Sequence, residues 1–127
     1  METFGWSDPI GSFQGLQTAV RILAEGRGKT LHERLDRATY ALVMLGPEVF
    51  PERIRNRVVR VHGFRSKVAK HTPKFQYFAF GQLTLTEKRQ LTADIIALYE
   101  TCLFDLGRMS PDWDFLVEEA WVDEIGA

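Results

Sequence analysis

Arg55-Asn56, followed after five residues by His62, has the residue types needed to cleave a phosphodiester. An arginine can stabilise charge on the transferring phosphate, and a histidine can move the proton of a ribose hydroxyl. On a continuous helix a separation of seven residues sets the two side chains within about 20° of one another. The spacing is not selective, because Arg27-x4-His32 and Arg65-x5-His71 satisfy it too, giving each of the three histidines an arginine at matching distance. A solvated or salt-bridged His62 is the alternative reading. Other chemistries find less support. His32 and Asp36 share a helical face but lack a third ligand for a metal. Cys102 lies on an apolar stripe, where a buried structural thiol fits better than a nucleophile. There is no Gly-rich phosphate loop, no Ser-His-Asp ordering and no catalytic carboxylate pair, so neither cofactor nor metal is expected.

The Arg55–His62 arrangement resembles the arginine–histidine motif of HEPN-type helical ribonucleases, in which the residue after the arginine is often polar. That resemblance implies a helical ribonuclease with Arg55 and His62 as its catalytic pair.

Charge gives a second route to function. Residues 51–74 hold eight Lys/Arg against Glu52 alone, whereas residues 100–127 hold eight acids against Arg108 alone, although the whole chain carries only -1. The candidate docking residues of the basic segment are Arg53, Arg55, Arg57, Arg60, Lys67, Lys70 and Lys74. They could bind nucleic-acid phosphates, dock an acidic protein partner, or face the chain's own acidic last helix. In that last helix Trp113 and Trp121 lie on one face, with Asp114 and Glu118 among the acids on the rest. This pattern suits a partner-docking helix or two tryptophans packed back on the core.

These residues require helices to position them. Asp8-Pro9 reads as an N-cap and first-turn proline, although Gly11 and Gly15 place the secure start of the first helix near Phe13, after a short arm of residues 1–12. Thr30-Leu-His-Glu33 and Thr84-Leu-Thr-Glu87 read as capping boxes. The first leads the stripe Leu35, Ala38, Leu42, Leu45 to Gly46-Pro47. The second leads Leu91, Ile95, Leu98, Cys102 and Leu106 to Gly107. Between them a helix opens near Pro51, with Phe50 stapled against Ile54 and a stripe through Val58 and Val61. A straight helix would place Arg65 on that stripe, so either the helix breaks near Gly63 or Arg65 is paired at an interface; the break is favoured. The aromatic stretch Phe75–Phe80 fits neither helical nor strand period, and Ser110-Pro-Asp caps an acidic helix over about 110–126.

The expected fold is therefore all-α: one domain, a compact bundle of four to five short helices, mostly antiparallel. Residues 30–100 resemble a pattern seen in small uncharacterised all-helical bacterial proteins. In that pattern a helix ends in Leu-x-Pro-Glu, Phe-Pro-Glu opens another, and a Ser/Thr-capped helix ends in Leu-Tyr. The resemblance implies a helical fold and a bacterial origin, with no assigned activity. The N-terminus has no signal-peptide pattern, no run is long enough to span a membrane, and a single cysteine suits a cytoplasmic setting. The leading expectation is a non-enzymatic helical interaction or regulatory protein with a protein partner and no membrane. The alternatives are a nucleic-acid-binding accessory subunit of a bacterial defence or counter-defence assembly, and the ribonuclease above. An unpaired apolar face could also be covered by a second copy.

Overall fold

Asp8 opens the helical part of the chain, its carboxylate accepting a hydrogen bond from the Gly11 amide at 3.1 Å. The computed structural model describes residues 3–26, 29–71 and 83–109, and for residues 67–71 the backbone only. With Pro9 preset for a first turn, α1 runs Pro9–Glu25, so the cap outweighs the cost of Gly11 and Gly15 and the helix starts ahead of Phe13. In α2, Leu31–Ala41, the Thr30 hydroxyl accepts from the Glu33 amide at 3.3 Å. Two 3-10 turns, Pro47–Val49 and Glu52–Ile54, flank the buried Phe50 and lead into α3, Arg55–His71. α4 is the longest helix, Leu85–Met109, and it continues through Gly107. Its capping box is complete: Thr84 Oγ1 accepts from the Glu87 amide at 3.1 Å, and Glu87 Oε1 accepts from the Thr84 amide at 2.9 Å.

The described residues form an all-helical bundle of four helices with no strand. Neighbouring helices run antiparallel. Pro9 and Phe13 of α1 meet Cys102 and Tyr99 of α4; Arg53 and Arg60 meet Asp105 and Asp94; and α1 lies against α2 with Gly15 beside Leu45 and Leu23 beside Arg34. The core follows the predicted stripes. Leu35, Ala38 and Leu42 are buried from α2 and the turn after it, Ile54, Val58 and Val61 from the α3 side, and Leu91, Ile95, Leu98, Cys102 and Leu106 from α4.

Two corrections concern position rather than type. α3 does not break at Gly63. It passes straight through, and Arg65 is paired instead: its Nη1 donates to the Asp36 carboxylate at 3.0 Å, to the Asp36 carbonyl at 2.8 Å and to Thr39 Oγ1 at 3.0 Å. A guanidinium on an apolar stripe is tolerated because these acceptors on α2 replace its water. The first helix also takes over from the N-terminal arm at Pro9 rather than after residue 12, and Phe4 and Trp6 of the arm pack on the core. Trp6 is buried, stacks at a tilt on Phe50 with ring centroids 5.3 Å apart, and donates its indole N–H to Asp105 at 2.8 Å. Gly5, at φ +93°, allows the approach to Pro51, whose Cβ would lie 3.0 Å from any Cβ placed there. The aromatic stretch Phe75–Phe80 and the expected acidic helix over about 110–126 fall outside the described residues.

Candidate functional site

The basic segment gathers on α4 through two carboxylates that occupy core positions. Asp94 and Asp105 lie three residues beyond Leu91 and Cys102 respectively, so helical spacing keeps them on the buried face. Both are essentially inaccessible, at 0% and 1%. A carboxylate taken out of water must be paired and hydrogen-bonded, and each is. Asp94 accepts Arg60 in a two-pronged contact, Nε to one oxygen at 2.9 Å and Nη2 to the other at 2.8 Å. It also accepts Arg57 Nη1 at 3.2 Å and Gln90 Nε2 at 3.1 Å. Asp105 accepts Arg53 Nη2 and the Trp6 indole on one oxygen, with Arg108 Nη1 3.9 Å from the other. The hydrogen bonds that Arg60 donates to Asp94, and then the carboxylate's charge, hold the guanidinium above its ordinary pKa, so Arg60 stays cationic at any physiological pH.

The arginines themselves are not buried. The side chains of Arg53, Arg57 and Arg60 remain 49%, 43% and 48% exposed. α3 has no acidic residue anywhere along its length, and Arg57 and Arg60 share one carboxylate, so net positive charge stays at the surface. Arg53 also donates to the Phe4 carbonyl at 2.9 Å, and Arg108 lies over the Phe4 ring at 4.3 Å, which ties the N-terminal arm to the same cluster.

Arg55 and His62, two turns apart on α3, are each tied to a different backbone carbonyl. Arg55 Nε donates to Phe50 at 3.0 Å. His62 Nε2 lies 2.8 Å from the Leu45 oxygen; because a carbonyl only accepts, that nitrogen must carry the proton. Cys102 is buried, its Sγ 3.8 Å from the Pro9 carbonyl, and burial, with a smaller effect from the Asp105 charge, pushes its pKa up to about 12. The thiol is therefore neutral and inert, as its place on the stripe suggested. No group of three or more metal-ligating side chains forms among the described residues, and none of the described helices is long and apolar enough to cross a membrane. The side chains of Lys67 and Lys70, and all of Lys74, Trp113, Asp114, Glu118 and Trp121, lie outside the described residues.

Sequence reasoning brought Arg53, Arg57 and Arg60 together as a basic segment and offered, as one of three readings, that it faces the acidic last helix. It did not single out the two acids that meet them. Asp105 is one of the eight acids of residues 100–127, whereas Asp94 precedes that stretch altogether. The signal was present as two aspartates at buried-face spacing on an otherwise apolar stripe, in a chain with a surplus of arginine one helix away. Trp6 was missed for a simpler reason: no periodicity extends into the arm. Compared with family models, curated proteins and solved structures, the chain matches none.

Proposed function

We propose that the chain is a non-enzymatic helical interaction protein, docking an acidic surface of a protein partner on the arginines of α3. One observation carries the reading: Arg57 and Arg60 are fixed by a wholly buried Asp94 yet keep nearly half of their side-chain surface open. Guanidiniums already held in place lose less side-chain entropy on binding than free ones. Such charges act mainly on orientation and association rate. The backbone engagement of Arg55 and His62 and the inert thiol of Cys102 support a docking role over a catalytic one. In this reading the acidic segment with Trp113 and Trp121 is a second contact surface.

The test must remove the arginines without stranding a buried charge. In the triple variant Asp94→Asn, Arg57→Gln, Arg60→Gln, the ionic cluster becomes a neutral amide cluster. Tagged wild type and triple variant, matched in thermal stability, are used to capture partners from the source cell, with recovery quantified by mass spectrometry. A partner enriched by the wild type should fall at least about tenfold with the variant, the loss expected when several interfacial charge contacts go. Equal recovery by both proteins, or nothing above an untagged control, refutes the reading.

A further inference from the structure

On the side of the bundle formed by α1 and α2, two open clefts of about 380 and 400 Å³ meet at Ile22 and Arg37, which line both. The first is lined by four cations, Arg21, Lys29, Arg34 and Arg37, against the single carboxylate of Glu25, itself paired with Arg21 at 3.4 Å. The second adds Arg65, Asp36, Tyr40 and Ala41, and there the carboxylate is taken by Arg65. Five cations to two carboxylates leave the joined groove at +3.

Three details say what this charge is suited to hold. Arg37 is exposed and has no hydrogen bond or ion pair among the described residues, although it stands where the clefts join. Arg34 uses Nη1 on the Leu23 carbonyl at 2.6 Å, while its Nε is buried with no partner among the described residues. Tyr40 is 67% exposed, and the Arg65 guanidinium lies over its ring at 5.2 Å from the centroid, so the ring is held in place with much of its surface open. Arg34, Arg37 and Tyr40 follow one another at helical i, i+3 spacing, covering about 9 Å of α2. Cations next to a held, exposed aromatic ring are the pairing a nucleotide asks for, with phosphate on the guanidiniums and base on the ring. An acidic peptide would use the charges but not the ring. The two clefts are open and adjoin at Ile22 and Arg37 rather than forming one closed pocket, which favours a strand lying along both over a free mononucleotide.

We propose that the groove along α1 and α2 binds single-stranded nucleic acid, with backbone phosphates at Lys29, Arg34 and Arg37 and a base stacked on Tyr40. The site is separate from the α3 arginines and does not rest on their docking role. The two substitutions that test it should leave different signatures. Fluorescence anisotropy of labelled poly(U) and oligo(dT) is read with the full chain from about 50 to 200 mM salt, where phosphate-driven binding falls steeply. Arg37→Gln should weaken binding and lower the slope of log affinity against log salt by about one. Tyr40→Ala should weaken binding about tenfold and leave the slope unchanged, because stacking releases no counterions. Both sites are exposed, so unchanged melting curves separate these effects from unfolding. The Asp94→Asn, Arg57→Gln, Arg60→Gln variant should bind like wild type. The proposal is overturned by the absence of salt-sensitive binding, by binding that neither substitution changes, or by loss in the triple variant alone. It is overturned equally if AMP, inorganic phosphate or poly-glutamate displaces the strand at matched concentration, since the site would then take a free nucleotide, an anion or an acidic chain.

Discussion

Asp94 and its arginines differ sharply in what each would lose. The carboxylate is wholly buried and the guanidiniums are half in water, so the cost of breaking the cluster depends on which side is removed. Arg57→Gln with Arg60→Gln leaves an unpaired charge in the core and should lower the melting temperature by roughly 5 °C or more. Adding Asp94→Asn to the pair should recover most of that loss, because no charge is then stranded. Thermal melts of the double and triple variants decide it, and a triple variant no more stable than the double would contradict the account. Cys102 carries a pH prediction of definite sign. Its folded pKa of about 12 stands above the ordinary 9.0, so in alkali the unfolded chain releases its proton first. Stability from this group is complete below pH 9 and declines by about 1 kcal/mol per pH unit above it. Urea unfolding of wild type and Cys102→Ala between pH 8 and 10.5 should show their difference shrinking as pH rises. Iodoacetamide at pH 8 should modify Cys102 only after unfolding. The type of this residue was legible from its stripe. The pairing of Asp94 was not, because a one-dimensional pattern registers a polar residue on an apolar face without registering the cation opposite.

At the scale of elements, local signals carried furthest where the chemistry was local. Both threonine caps, the stripes of α2 and α4 and the turn after Gly46 all follow from residues within a few positions of one another. α3 is the element that resisted. Its pattern leaves either a break near Gly63, the favoured reading, or a paired Arg65, and the helix holds because acceptors on α2 meet the guanidinium across a sequence separation no local rule reaches. If Gly63 serves no turn, its missing side chain is a cost alone. It is exposed, and a Cβ there would meet nothing within 4 Å. Gly63→Ala should therefore stabilise the protein by about 0.5–1 kcal/mol. A chemical-denaturation midpoint that moves down instead would show that α3 needs the glycine's freedom.

Across the whole molecule, the charge sorting of the sequence resolves into two different uses. Arg53, Arg57 and Arg60 are anchored by buried acids, while Arg21, Lys29, Arg34 and Arg37 line an open groove. Among the described residues, exposed cations thus lie on two separate faces, an outcome composition alone conceals. The arm is the other feature that exists only at this scale. Trp6 shares an oxygen of Asp105 with Arg53, and Arg108 covers Phe4. Trp6→Phe keeps most of the ring packing but removes the donor to a buried carboxylate, and should cost about 1.5–3 kcal/mol. Equilibrium unfolding would measure it, and a loss below about 0.5 kcal/mol would mean that Arg53 alone satisfies Asp105.

The Trp6–Asp105 bond spans 99 residues, and a chain is made from one end. While the ribosome is still adding α4, the Trp6 indole has no Asp105 to accept its hydrogen bond. At about 5–20 residues per second the arm waits for several seconds before its partner exists. Contacts this distant in sequence form late, so the nascent chain should stay protease-sensitive around Trp6 until Asp105 has left the ribosome, then close. Arrested chains that hold Asp105 inside the ribosome or, through an added C-terminal extension, clear of it would show whether it does.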